Sequence, residues 1–161
     1  MPGLINEIIT NLKSQLENYE YLLGLSLEQK DAVIQNDIAQ LKKIVSLENI
    51  IINRNRKLEA ARVQLTSDIA SALGANKETL TLAALAEAIK GQAEHAELVD
   101  VKDRLAAVLS DLERENSQNR ALVSTALDYI VFSLNLMKDS IENGGAPGAA
   151  ADRPFFDAKV H

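Results

Sequence analysis

The chain has 161 residues, a formal net charge of −6, 22 alanines and 23 leucines, and neither tryptophan nor cysteine. That length fits one domain with a real core, and the composition is that of long helices rather than sheets. The missing cysteines exclude disulfides, thiolate metal sites and a cysteine nucleophile, and the acidic balance argues against nucleic acid as a partner, because phosphate binding needs a basic surface.

The first predicted helix runs from about Leu4 to Gln35. Ile5, Ile9, Leu12, Leu16, Tyr19 and Leu23 recur at alternating steps of four and three, the period of a coiled-coil seam. The expected weak point is Gly24 with Leu25-Ser26-Leu27. Asn36-Asp37 then offers a helix cap and predicts a tight turn, because an unbroken helix of about 70 residues would be ~105 Å long. The second helix runs from about Ile38 to Leu73 on a stripe of Ile38, Leu41, Val45, Ile51 or Ile52, Asn55, Leu58, Leu65 and Ile69, with Gly74 as its left-handed end.

Thr81 caps a short helix, Leu82 to Lys90, closed by Gly91. The last helix runs from about Glu94 to Glu142 on a stripe that includes Leu98, Val101, Leu105, Val108 or Leu109, Leu112, Asn116, Asn119 and Val123. At ~74 Å it outruns its neighbours, at ~48 and ~54 Å, so part of it projects or is covered by something else. Asn143-Gly144-Gly145-Ala146-Pro147-Gly148 then breaks helix. The expected fold class is all-α, an elongated antiparallel bundle of three long helices and one short one: a helical domain over 1–142 and a flexible tail over 143–161.

No enzymatic constellation is present. A di-iron bundle needs two Glu-x-x-His motifs, and His95 has Gln92 three residues before it, with His161 the only other histidine. There is no nucleophile elbow and no phosphate-binding glycine loop. No cofactor or metal is expected. No apolar run approaches the ~20 residues of a membrane span, and the N-terminus has no basic lead before its apolar part, so the expected location is the cytoplasm.

Three features are candidates for a role. Asn55, Asn116 and Asn119 fall on the apolar ladders at similar expected heights. They read as a register-setting polar layer, with a polar recognition groove as the sharper alternative. The stretch 127–137 is apolar nearly all round, with Leu127, Tyr129, Phe132, Leu136 and Met137 as its large side chains. A helix apolar on every side is either buried on every side or meets a partner. The first helix and the tail, a second copy of the chain, or a partner groove would each satisfy it. Phe155 and Phe156 either fold back on the bundle or form a short docking motif. Four of the six aromatic residues thus lie from Tyr129 onward.

The run Lys30-Asp31-Ala32-Val33-Ile34-Gln35-Asn36-Asp37-Ile38-Ala39-Gln40-Leu41 looks like the first turn of a known family. With it come Glu48, Leu58-Glu59-Ala60-Ala61-Arg62, Asn116, Asn119-Arg120-Ala121-Leu122-Val123 and Ser133-Leu134-Asn135-Leu136. Together, over about residues 4–148, they resemble the FlgN-type flagellar export chaperones. The resemblance implies a cytoplasmic helical protein that binds hook-associated proteins, the hook–filament junction components. It would cover their polymerising terminal helices and deliver them to the type III export gate, using its C-terminal region for the substrate. Family tails often carry a Tyr-Gly-x-x-Gly motif linked to gate docking; here Asn143 stands before Gly144 and the tyrosine is absent. The alternative reading is a self-associating coiled-coil scaffold or adaptor protein without chaperone activity, for which a homodimer is the expected form.

Overall fold

In the computed structural model, the backbone is described for residues 2–141. Side chains are described from Gly3 to Thr125 and, beyond that, for Asp128, Val131, Phe132, Asn135 and Leu136. The elements are α1 (Pro2–Ile34), α2 (Ile38–Leu73), α3 (Leu82–Ala88) and α4 (His95–Ile141). The expected 142/143 boundary therefore lies at the edge of the described residues, and the tail lies outside them.

The turn after α1 is tight. Asn36 takes a left-handed φ of 57°, a conformation asparagine tolerates better than other side-chain-bearing residues. The Asp37 N–H donates to Ala32 O and the Asn36 N–H to Val33 O, which satisfies carbonyls that the helix end would leave open. Asp37 then caps α2 by accepting from the Gln40 N–H at 3.1 Å. Gly74, at φ 68°, closes α2 in the same way, and Thr81 caps α3 through the Ala84 N–H. The expected weak point at Gly24 does not appear: α1 continues through it, with Leu25 and Ser26 buried.

α1 is the central strut. It packs on α2 and on α4, whereas α2 and α4 do not pack on each other among the described residues; α3 packs on α4. Numbers rise in α1 as they fall in α2, from Asn11 at Leu58 to Asn18 at Asn55, so that pair is antiparallel. α4 runs parallel to α1, from Lys13 at Glu97 to Lys30 at Glu115.

Serving two neighbours requires two buried faces on one helix. The predicted stripe, Ile5 to Leu23, continues through Ser26 and Lys30 and meets α4. A second stripe lies one residue earlier: Ile8, Asn11, Gln15, Asn18, Leu22, Leu25 and Ala32, again at steps of three, four or seven. It meets α2. One residue is 100° of helix, so at packing distances of ~8–10 Å the two outer axes stand roughly 14 Å apart, too far for close packing.

The main core lies at the end where α1 begins. Ile5, Ile8 and Leu12 join Ile69 of α2, Leu85 of α3 and Leu98 of α4, all at most 2 % exposed. Burial contributes about 1.5–3 kcal/mol for each such side chain. In α2 the predicted stripe holds at Ile51, Asn55 and Ile69, which are buried, and fails towards the start of the helix, where the inward position is Ile44 rather than Val45. Ile44 and Ile51 are buried, while Ile38, Val45 and Ile52 are exposed.

Candidate functional site

Two polar clusters are built into the helix contacts. Between α1 and α2, the Asn11 amide donates to the Leu58 carbonyl at 2.8 Å, and Gln15 donates to Asn11 Oδ1 at 2.9 Å and Glu59 at 3.2 Å. The Asn18 amide donates to Asn55 Oδ1 at 3.1 Å. Arg62 holds Glu59 through two hydrogen bonds, at 2.8 and 2.6 Å. These bonds, with that from Gln15, keep the Glu59 carboxyl below its ordinary range, against a partial burial that pushes it up. Burial, then the Glu59 charge, pushes the Tyr19 hydroxyl up.

Between α1 and α4, buried Ser26 donates to Asn116 Oδ1 at 2.9 Å. Asn119 donates to the Ser26 carbonyl at 2.7 Å. Lys30 Nζ lies 2.6 Å from Glu115 Oε2 but outside hydrogen-bonding geometry, so the attraction there is Coulombic.

The single layer expected of Asn55, Asn116 and Asn119 is corrected by this arrangement. Asn55 sits against Asn18 and the other two against Ser26, eight residues further along α1, or ~12 Å. A single layer needs α2 and α4 to pair directly, and α1 packs on each of them instead. The polar residues that it missed, Asn11, Gln15 and Asn18, share the three-and-four spacing of the second stripe; that spacing was the available signal.

The apolar stretch of α4 lies beyond the bundle's end. Lys30 pairs with Glu115 and donates to Gln118, so the end of α1 at Ile34 is level with roughly residue 120 of α4. About 20 residues, ~30 Å of helix, continue past that point to Ile141. Within them Phe132 is 59 % and Leu136 54 % exposed. Four residues apart, they lie on one face of the helix. The side chains of Leu127, Tyr129 and Met137, and the whole of Phe155 and Phe156, lie outside the described residues.

His95 begins α4 and donates from Nδ1 to the Ala86 carbonyl at 2.9 Å, tying α3 to the helix start. No group of three or more histidine, cysteine, aspartate or glutamate side chains suited to a metal occurs among the described residues. No described helix is long and apolar enough to cross a membrane.

The family model described as FlgN protein matches residues 1–150. An uncharacterised protein of Bacillus subtilis (strain 168), YvyG, is 29 % identical over 130 residues, which is 81 % of this chain and 78 % of that protein. No solved structure matches the chain.

Proposed function

This chain belongs to the FlgN family of flagellar export chaperones, and on that premise we propose that it binds hook-associated proteins in the cytoplasm and presents them to the export gate. The observation that carries this reading is the exposure of Phe132 and Leu136 on a helix that has left its own bundle. Large apolar side chains held in water at helical spacing favour an amphipathic partner helix, which would complete their burial. Polymerising terminal helices of a hook-associated protein are such a partner. Binding of this kind needs no cofactor and no catalysis. A segment that orders only on binding gives up part of its interaction energy to ordering, which suits a complex that must later release its cargo.

In this reading Leu127, Tyr129, Phe132, Leu136 and Met137 form the partner surface, and Phe155 and Phe156 extend it from the tail. Asn55, Asn116 and Asn119 hold the register of the helices beneath it, in two places rather than one. The same exposed pair also favours a second reading, in which two copies of the chain cover each other as a coiled-coil scaffold. Light scattering on the chain alone and mixed with a purified hook-associated protein separates the two. The chaperone reading expects a mixed complex of defined mass. A stable homodimer that ignores the hook-associated protein would replace it with the scaffold.

A further inference from the structure

The gap between α2 and α4 is a second surface, away from the projecting segment. Half-buried Tyr19 stands on the face of α1 between the two helices, seven residues before Ser26, which is fully buried beneath it. Glu59 reaches Gln15 from the α2 side. Ile52, Val45 and Ile38 precede Glu59 at steps of seven and so line the same rim, 41 %, 45 % and 50 % exposed. Asn116 reaches Ser26 from the α4 side, and Leu109, seven residues before it, faces across at 42 % exposed. Ile38 to Ile52 spans 14 residues, about 21 Å, or two heptads of a docked helix.

The segment of α2 that carries this rim has a charge opposite to that of the chain. Lys42, Lys43, Arg54, Arg56 and Lys57 stand among residues 38–57 with Glu48 as the one acid, a net +4 in a protein of net charge −6. All five cations are exposed. None makes an ion pair with a carboxylate among the described residues, and neither do Lys77 and Arg120, whereas Lys13, Lys30, Arg62, Lys90, Lys102, Arg104 and Arg114 all do. Lys42 and Arg56 follow Ile38 and Ile52 by four residues and share their flank of α2; Lys43 and Lys57 lie on the opposite flank.

We propose that the α2–α4 groove docks an acidic amphipathic helix of a partner protein. Its apolar seam would lie on Ile38, Val45, Ile52 and Leu109, with its carboxylates against Lys42 and Arg56. Heptad-spaced apolar residues define a straight seam for a helix, which a lipid surface does not need, and cations that have no carboxylate beside them, Arg56 donating only to the neutral Asn53 amide, select the sign of the partner's flanking charges. This surface is independent of Phe132 and Leu136.

The test uses a 21-residue helical peptide with leucine at alternating three- and four-residue steps and glutamate beside them, a twin with lysine in place of glutamate, and phosphatidylglycerol vesicles. Binding to the full chain is followed by fluorescence anisotropy, with circular dichroism confirming that each variant is folded. The glutamate peptide is expected to bind at least tenfold more tightly than its twin and to weaken as salt rises. Lys42→Glu with Arg56→Glu is expected to weaken it at least tenfold. Lys43→Glu with Lys57→Glu, the same charge change on the other flank, and Phe132→Ala with Leu136→Ala should each leave it within about twofold. Absence of peptide binding, equal binding of both peptides, equal damage from the two charge reversals, or binding to the vesicles alone would overturn the proposal.

Discussion

Asn119 of α4 donates its side-chain amide to the main-chain carbonyl of Ser26 in α1 at 2.7 Å, with both residues buried. It lies just before the level at which α4 outruns α1, so this bond and the Lys30–Glu115 ion pair beside it fasten the base of the projecting segment. Asn119→Ala removes a buried bond and is expected to cost about 1–2 kcal/mol, a fall in Tm of about 3–6 °C. Hydrogen exchange should rise first around residues 115–123. Uniform exchange along α4 would place the fastening elsewhere.

The Asn18–Asn55 pair makes a different prediction. Asn55→Leu alone leaves the Asn18 amide without its acceptor and is expected to cost about 1–3 kcal/mol. Replacing both by leucine removes the unpaired group and should recover most of that loss, because a matched apolar pair is tolerated where a half-satisfied polar pair is not. Urea denaturation of the two singles and the double measures the coupling.

Adjacent residues in α2 should respond very differently. Ile44 is fully buried against α1 and Val45 is 45 % exposed. Ile44→Ala is expected to cost about 2–5 kcal/mol, and Val45→Ala within about 0.5 kcal/mol. Chemical denaturation of the pair checks the face that α2 turns inward.

Two glutamates on α2 have opposite dependence on pH. Burial pushes the Glu48 carboxyl above its ordinary value. The folded chain thus favours its neutral form, and the stability this contributes is full below the ordinary glutamate range and lost as pH rises through the raised value. Arg62 holds Glu59 below its ordinary value, so its contribution is present above that range and lost as pH falls through the lowered value. Glu48→Gln is expected to raise Tm by about 1–2 °C at neutral pH, with the gain fading in acid. Glu59→Gln should lower Tm at neutral pH, with the deficit fading in acid. Thermal melts across that range read both.

Much of the architecture was legible because local chemistry decided it. Asn36-Asp37, Gly74 and Thr81 end or begin helices where their backbone and side-chain preferences say they should. The face of α1 that meets α4 shows as an unbroken apolar ladder. Its second face did not, because Asn11, Gln15 and Asn18 interrupt the apolar pattern in the middle, and a search for hydrophobic period passes over them. In α2, Ile44-Val45 and Ile50-Ile51-Ile52 offer neighbouring apolar residues, and only packing against α1 decides which are buried. The projection of α4 followed from helix lengths alone, whereas the separation of Asn55 from Asn116 and Asn119 needed the parallel and antiparallel registers of the two helix pairs.

Phe132 and Leu136 give the most direct measurement. The chain with both replaced by alanine is titrated against a purified hook-associated protein by calorimetry, beside a thermal melt. Anchors of this size carry at least ~2 kcal/mol of binding, so affinity should fall about thirtyfold or more, while Tm stays within about 1 °C because neither side chain is buried in the bundle. Unchanged affinity would remove the partner surface from α4, and a collapse of Tm would make the two residues part of the core.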